Sequence, residues 1–95
     1  MSSNVIKGAT FLVADDEEFI RSLIKQLLLE MGAQEVLVAD QGRKAIELLE
    51  HRSGDVDCIV SDFKMPTMTG VEFLQSVRSG TAHVDRDLPF AMLTG

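Results

Sequence analysis

The sequence predicts an α/β fold built on a doubly wound parallel sheet. Three observations predict it. Short apolar runs recur at residues 10–14, 35–39, 56–61 and 89–93, and stretches of helical period separate them. Strand and helix therefore alternate, which implies parallel strands joined by right-handed crossovers. Acidic residues also close two of the runs: Asp15 and Asp16 follow the first, and Asp62 follows the third. Adjacent parallel strands would bring these carboxylates to one end of the sheet, where function collects in such folds.

Taken in order, residues 1–8 (MSSNVIKG) read as a polar tail leading into the first strand. Residues 10–14 form a fully buried strand, bounded by Gly8 and the acidic cluster. Between residues 17 and 31 Ile20, Ile24 and Leu28, with Leu23, Leu27 and Met31 beside them, recur at helical spacing and give a wide apolar face. Asp16, Glu17 and Glu18 suit the positive end of that helix, and Gly32 is a natural stop. Residues 35–39 are the second strand. The second helix, 41–51, carries Ala45, Ile46, Leu48 and Leu49 on its apolar face. The third strand is 56–61, and 62–70 is a loop punctuated by Pro66 and Gly70. The third helix, 71–79, turns Phe73, Leu74 and Val77 inward. A polar loop, 80–87, leads to the fourth strand at 89–93.

The 95 residues suffice for one domain and not for two, so residues 1–95 are read as a single domain. An apolar fraction of 45% beside 25% charged residues is a globular rather than a disordered composition. A net charge of −6 argues against direct binding to nucleic acid or to anionic membranes, which need basic patches. The single cysteine, Cys58, lies in an apolar run and reads as a buried structural thiol. No apolar stretch reaches membrane-spanning length, and residues 1–8 lack the apolar core of a signal peptide. The cytoplasm is the expected compartment.

Three like charges crowded together repel, and their pKa values rise unless a cation neutralises them. Hard carboxylate oxygens suit Mg2+, which prefers a few of them together with waters and phosphate oxygens. The first strand is followed by Ala-Asp-Asp-Glu-Glu rather than a glycine-rich phosphate loop, so nucleotide binding is disfavoured. An aspartate can instead attack phosphorus and carry an acyl phosphate. Asp62 stands alone and is the nucleophile candidate, with Asp15 and Asp16 as the paired ligands. If the fourth strand lies beside the third, the Thr94 hydroxyl would sit near Asp62; from position alone it is equally an ordinary strand-end threonine. Met65 and Met68 read as loop packing, since thioethers suit soft metals, and Pro66 as fixing the loop. His51 and His83 have no partner at ligand spacing. Arg21 and Lys25 read as a solvated helix face.

The blocks FLVADDEEFIRSLI, IVSDFKMPTMTGVEFL and LPFAMLTG together resemble the receiver domain of bacterial two-component response regulators. The acidic pair matches Asp15 and Asp16, and the Asp-x-x-Met-Pro-x-Met-x-Gly loop is reproduced by Asp62, Met65, Pro66, Met68 and Gly70. Residues 39–45 (ADQGRKA) resemble the entry to the second helix, and Thr94 matches the switch hydroxyl. The resemblance covers nearly the whole chain and implies a flavodoxin-like receiver architecture with strand order 2-1-3-4. It implies Asp62 as phosphoacceptor. Mg2+ would be held directly by Asp16, mostly through water by Asp15, and also by Asp62 and the backbone carbonyl of Lys64. The phosphoryl group would come from a histidine kinase or a histidine phosphotransfer protein. Thr94 would then move toward the acyl phosphate and shift the face that partners read. The first helix is a kinase-docking surface in similar proteins.

One departure stands out. The family continues past the threonine with a helix, a fifth strand bearing a lysine, and a last helix, while this sequence stops at Gly95. The domain therefore reads as incomplete at its C-terminus, and no residue here matches that lysine; Lys64 belongs to the Asp62 loop. An open fourth-strand edge and a bared first helix predict self-association or marginal stability for this piece expressed alone.

Three functions compete. The first is a phosphoacceptor module, which is no enzyme beyond catalysing its own phosphorylation and dephosphorylation. An aspartyl phosphatase like the haloacid dehalogenases would need a second acid two residues after the nucleophile, and that position is Lys64. A phosphorylation-independent pseudo-receiver, acting in dimerisation or partner binding, is the runner-up. Asp15, Asp16, Asp62 and Thr94 together favour the phosphoacceptor.

Overall fold

The computed structural model describes residues 6–52, 54–80 and 84–93. Strand β1 (Thr10–Ala14) is followed by α1 (Glu18–Glu30), β2 (Glu35–Ala39), α2 (Gly42–His51), β3 (Cys58–Asp62), α3 (Gly70–Ser79) and β4 (Phe90–Leu93). All strand pairs are parallel, and the sheet order is β2-β1-β3-β4, the expected class and order.

Successive side chains of β1 point to opposite faces, and both faces are covered. Phe11 and Val13 join Val36 and the half-buried Ile24 and Leu28 of α1 on one side. Leu12 and Ala14 join Ala45 and Leu49 of α2, and Phe73 and Val77 of α3, on the other. The chain moves one way across the sheet from β1 to β2 and the opposite way from β2 to β3 and β4. Right-handed crossovers then place α1 on one face and, among the described helices, α2 and α3 on the other.

Some expected boundaries and burials shift. Val56 and Asp57 lie outside β3, because Asp57 closes the mouth of β1 instead: its N–H donates to the Thr10 carbonyl and its Oδ2 accepts the Thr10 N–H, both at 2.8 Å. Asp62, expected to open a loop, is the last residue of β3 and is in register with Leu93. Helix α3 begins at Gly70 rather than at 71. The wide apolar face of α1 is only partly used: no residue of α1 is buried, and Leu23, Leu27 and Met31 are 42%, 48% and 53% exposed. The reason is positional, since α1 rests on β1 and β2 and, among the described residues, nothing covers its far side. Cys58 is half-buried rather than buried; burial, then the Asp57 charge, pushes its thiol pKa up, which disfavours the thiolate form.

Candidate functional site

Because β1 and β3 pair with Ala14 opposite Ser61, Asp15 and Asp62 leave the sheet side by side. This is the point where the chain order reverses, with β2 on one side of β1 and β3 on the other. A crevice opens there at the carboxyl ends of the strands. Asp15, Asp16 and Asp62 each offer a carboxylate oxygen, all within 4.8 Å of one another. Glu17, Ile20, Phe63, Lys64 and Leu93 wall a cleft of about 600 Å³ around them.

The three carboxylates are not equivalent. Asp15 is 4% exposed, Asp62 is half-buried and Asp16 is exposed. Asp15 is also the most constrained. Its N–H donates to the Ala39 carbonyl at 3.1 Å and its Oδ1 accepts the Glu17 N–H at 2.9 Å. Among the described residues neither Asp16 nor Asp62 has a side-chain hydrogen bond, so their carboxylate oxygens are free for a ligand. Burial raises the Asp15 pKa; the Glu17 N–H opposes it, the charges of Asp62 and Asp16 add to it, and Arg21 opposes it. A buried carboxylate facing two more carboxylates is electrostatically unfavourable by itself, and a hard divalent cation relieves it. The donor set therefore fits Mg2+.

The sign of that shift gives a pH dependence. The folded Asp15 carboxyl holds its proton more tightly than the unfolded one, so the ionised group weakens the metal-free fold at neutral pH. The penalty is complete above the raised folded pKa and fades as pH falls toward the unfolded value. With chelator present, Asp15→Asn is expected to melt above the wild type at neutral pH, by a margin that shrinks on acidification. A margin constant with pH would refute this.

The loop after β3 is packed and extends the sheet ladder. The Phe63 N–H donates to the Leu93 carbonyl at 2.9 Å, and the Gly70 N–H to the Phe63 carbonyl at 2.9 Å. Met65 is buried in the core, and Met68 is half-buried against Gly42, where a Cβ would come 2.7 Å from the Met68 sulfur. Both methionines are packing residues, as expected. Thr69 caps α3 in a reciprocal box with Glu72, its N–H donating to Glu72 Oε1 at 2.9 Å and its Oγ1 accepting the Glu72 N–H at 3.2 Å.

Gly70 is more than punctuation. A Cβ there would collide with the Asp62 carbonyl oxygen and come 3.1 Å from the Phe63 Cα, which are backbone atoms with little freedom to yield. Gly70→Ala is expected to destabilise by about 1–3 kcal/mol, the range for overpacking, and to push Asp62 out of place. Thermal melting checks it; an unchanged midpoint would contradict it.

All three predicted aspartates converge, and Lys64 stands on the cleft wall. Thr94 and His83 lie outside the described residues, but β4 does pair with β3, the condition set for Thr94. Arg21, expected on a solvated helix face, departs from that reading. It is half-buried, and its Nη1 donates to the Asp15 carbonyl at 2.8 Å. Its sole sequence signal is its place one turn into the helix that follows the acidic pair.

Residues 11–95 match the response regulator receiver domain family. The chain belongs to that family. This receiver chain is 32% identical over 94 residues to chemotaxis protein CheY-3 of Vibrio cholerae, covering 99% of the chain and 69% of that protein. It is 37% identical over 83 residues to chemotaxis protein CheY of Pseudomonas aeruginosa, covering 87% and 64%. Among solved structures, a receiver domain protein from Clostridium thermocellum superposes with a TM-score of 0.79 at 32% identity, covering 92% and 65%. The receiver domain of the histidine kinase CKI1 from Arabidopsis thaliana, complexed with Mg2+ and BeF3-, gives 0.83 at 28% identity, covering 98% and 70%. The receiver chain thus spans between 64% and 70% of the length of these four proteins. Among the described residues, no helix is long and apolar enough to cross a membrane.

Proposed function

We propose that this receiver domain accepts a phosphoryl group on Asp62 from a histidine kinase or a histidine phosphotransfer protein, in a Mg2+-dependent step, and signals by a conformational shift. The observation that carries the reading is the convergence of Asp15, Asp16 and Asp62 within 4.8 Å at the ends of β1 and β3. A receiver of the same fold solved with Mg2+ and BeF3- supports it.

In this mechanism an Asp62 carboxylate oxygen attacks phosphorus in line with the departing imidazole nitrogen. An O–P bond forms as the N–P bond breaks, and the imidazole takes its electron pair and then a proton from solvent. Asp16 and Asp62, with free oxygens, would hold Mg2+ directly, Asp15 through water and Lys64 through its backbone carbonyl, and a bound ion would supply charge neutralisation for the transferring group. The register of β3 with β4 fixes the Asp62 backbone opposite Leu93. Thr94 would follow the phosphoryl group as the switch. Phe19, 75% exposed at the start of α1, offers apolar area on the helix that would meet the donor. The domain catalyses only its own phosphorylation and dephosphorylation, and works in the cytoplasm.

Intact-mass measurement after incubation with acetyl phosphate tests the reading. One phosphoryl adduct is expected with Mg2+ and none with chelator. The pseudo-receiver alternative draws support from the exposed Leu23 and Leu27 of α1 and Met31 at its C-terminal end, an apolar surface suited to a partner or to self-association. It predicts no adduct on folded protein, and a sedimentation coefficient above that of a monomer.

A further inference from the structure

Arg21 reaches the acidic turn from outside it. Arg21 lies in the first turn of α1, and its backbone N–H donates to the Glu17 carbonyl at 2.9 Å as part of the helix. Its guanidinium reaches back over the turn to the Asp15 carbonyl oxygen at 2.8 Å. That oxygen belongs to the peptide joining Asp15 to Asp16. A peptide unit is planar, so orienting its carbonyl also sets the Asp16 N–H and Cα. The turn is then held at three points: the Asp15 N–H on Ala39, the Asp15 Oδ1 on the Glu17 N–H, and the Asp15 carbonyl on Arg21. Asp16 has no side-chain hydrogen bond of its own among the described residues. Its position depends on that plane.

We infer that Arg21 is a positioning residue for the metal site, its hydrogen bond to the Asp15 carbonyl setting the Asp15–Asp16 peptide and thereby aiming the Asp16 carboxylate toward Asp62. The inference rests on the Mg2+ reading above. It makes a prediction opposite in sign to simple electrostatics. A positive charge beside three carboxylates repels Mg2+, so an arginine that acted through charge alone would, when deleted, leave the site binding more tightly. Loss of an outer-shell support weakens it instead, by about 10-fold or more.

Isothermal titration of the whole chain with MgCl2 decides between them. Arg21→Ala is expected to raise the Mg2+ dissociation constant about 10-fold. Lys25→Ala, which removes a neighbouring exposed charge from the same helix, should leave it unchanged or lower it. With acetyl phosphate, the Mg2+ concentration for half-maximal adduct formation should rise in Arg21→Ala, while the rate at saturating Mg2+ stays near wild type; a general loosening of the fold would not divide the effect in this way. Should Arg21→Ala fail to fold by circular dichroism, Arg21→Lys carries the test. It keeps the charge but not the planar guanidinium, and is expected to bind severalfold more weakly. Wild-type binding matched or exceeded by the folded variant would overturn the inference and leave the site reading intact. Failure of the wild type itself to bind Mg2+ would overturn both.

Discussion

Asp62→Asn is expected to reduce capture of a phosphoryl group from acetyl phosphate to background, with no adduct in the intact mass. The amide keeps the shape of the side chain and the backbone place in register with Leu93, so β3 and the loop to Gly70 have no reason to move. It loses the anionic oxygen that attacks phosphorus and one of the free oxygens offered to Mg2+. The variant also removes one of three crowded negative charges, so its metal-free melting midpoint should be no lower than that of the wild type. This second readout separates lost chemistry from lost fold. An adduct persisting in the variant and mapping to Asp15 or Asp16 would reassign the acceptor.

Phe73→Ala carries the largest expected loss of stability. Phe73 is fully buried in the core shared by α2, α3 and the sheet, and its ring meets Phe90 of β4 edge-on, with centroids 5.3 Å apart at 66°. Truncation removes the apolar contact and the edge-to-face pair, and leaves a cavity that close-packed neighbours cannot fill. The expected cost is about 3–5 kcal/mol. In a domain of this size that lowers the melting midpoint by more than about 12 °C, taking about 4 °C for each kcal/mol. Phe73 joins the helix that follows the Asp62 loop to the strand that pairs with Asp62, so the Mg2+-dependent adduct should fall as well. A midpoint within a few degrees of wild type would show that α3 is not anchored through this ring.

Much of the architecture was legible because its signals are local. Apolar runs such as 10–14 and the helical spacing of Ile20, Ile24 and Leu28 depend only on neighbours along the chain. The alternation of strand and helix then constrains the topology, and with it the meeting of Asp15, Asp16 and Asp62. The site was readable for the same reason: its carboxylates stand where strands end, and strand ends show as breaks in an apolar run.

The sequence pattern misleads where a residue's role depends on distant partners. Asp57 looked like part of a strand, but its carboxylate binds the backbone of Thr10, 47 positions away. Leu23, Leu27 and Met31 carry the same helical spacing as their half-buried neighbours Ile20, Ile24 and Leu28, yet no pattern within one helix says which side meets a sheet. Gly70 read as a loop breaker, whereas its missing side chain lets α3 start against the Asp62 carbonyl. Arg21 read as solvated because polarity is a property of the residue, while its bond to the Asp15 carbonyl is a property of how α1 leaves β1.

The chain's pattern alone thus establishes the strands, the helices and the identity of the three carboxylates, since each is written in residue type and spacing. The division of labour among those carboxylates comes from packing across the sheet. Asp15 is buried and bonded while Asp16 and Asp62 keep free oxygens, because burial and hydrogen-bond partners are set by contacts between segments far apart in sequence.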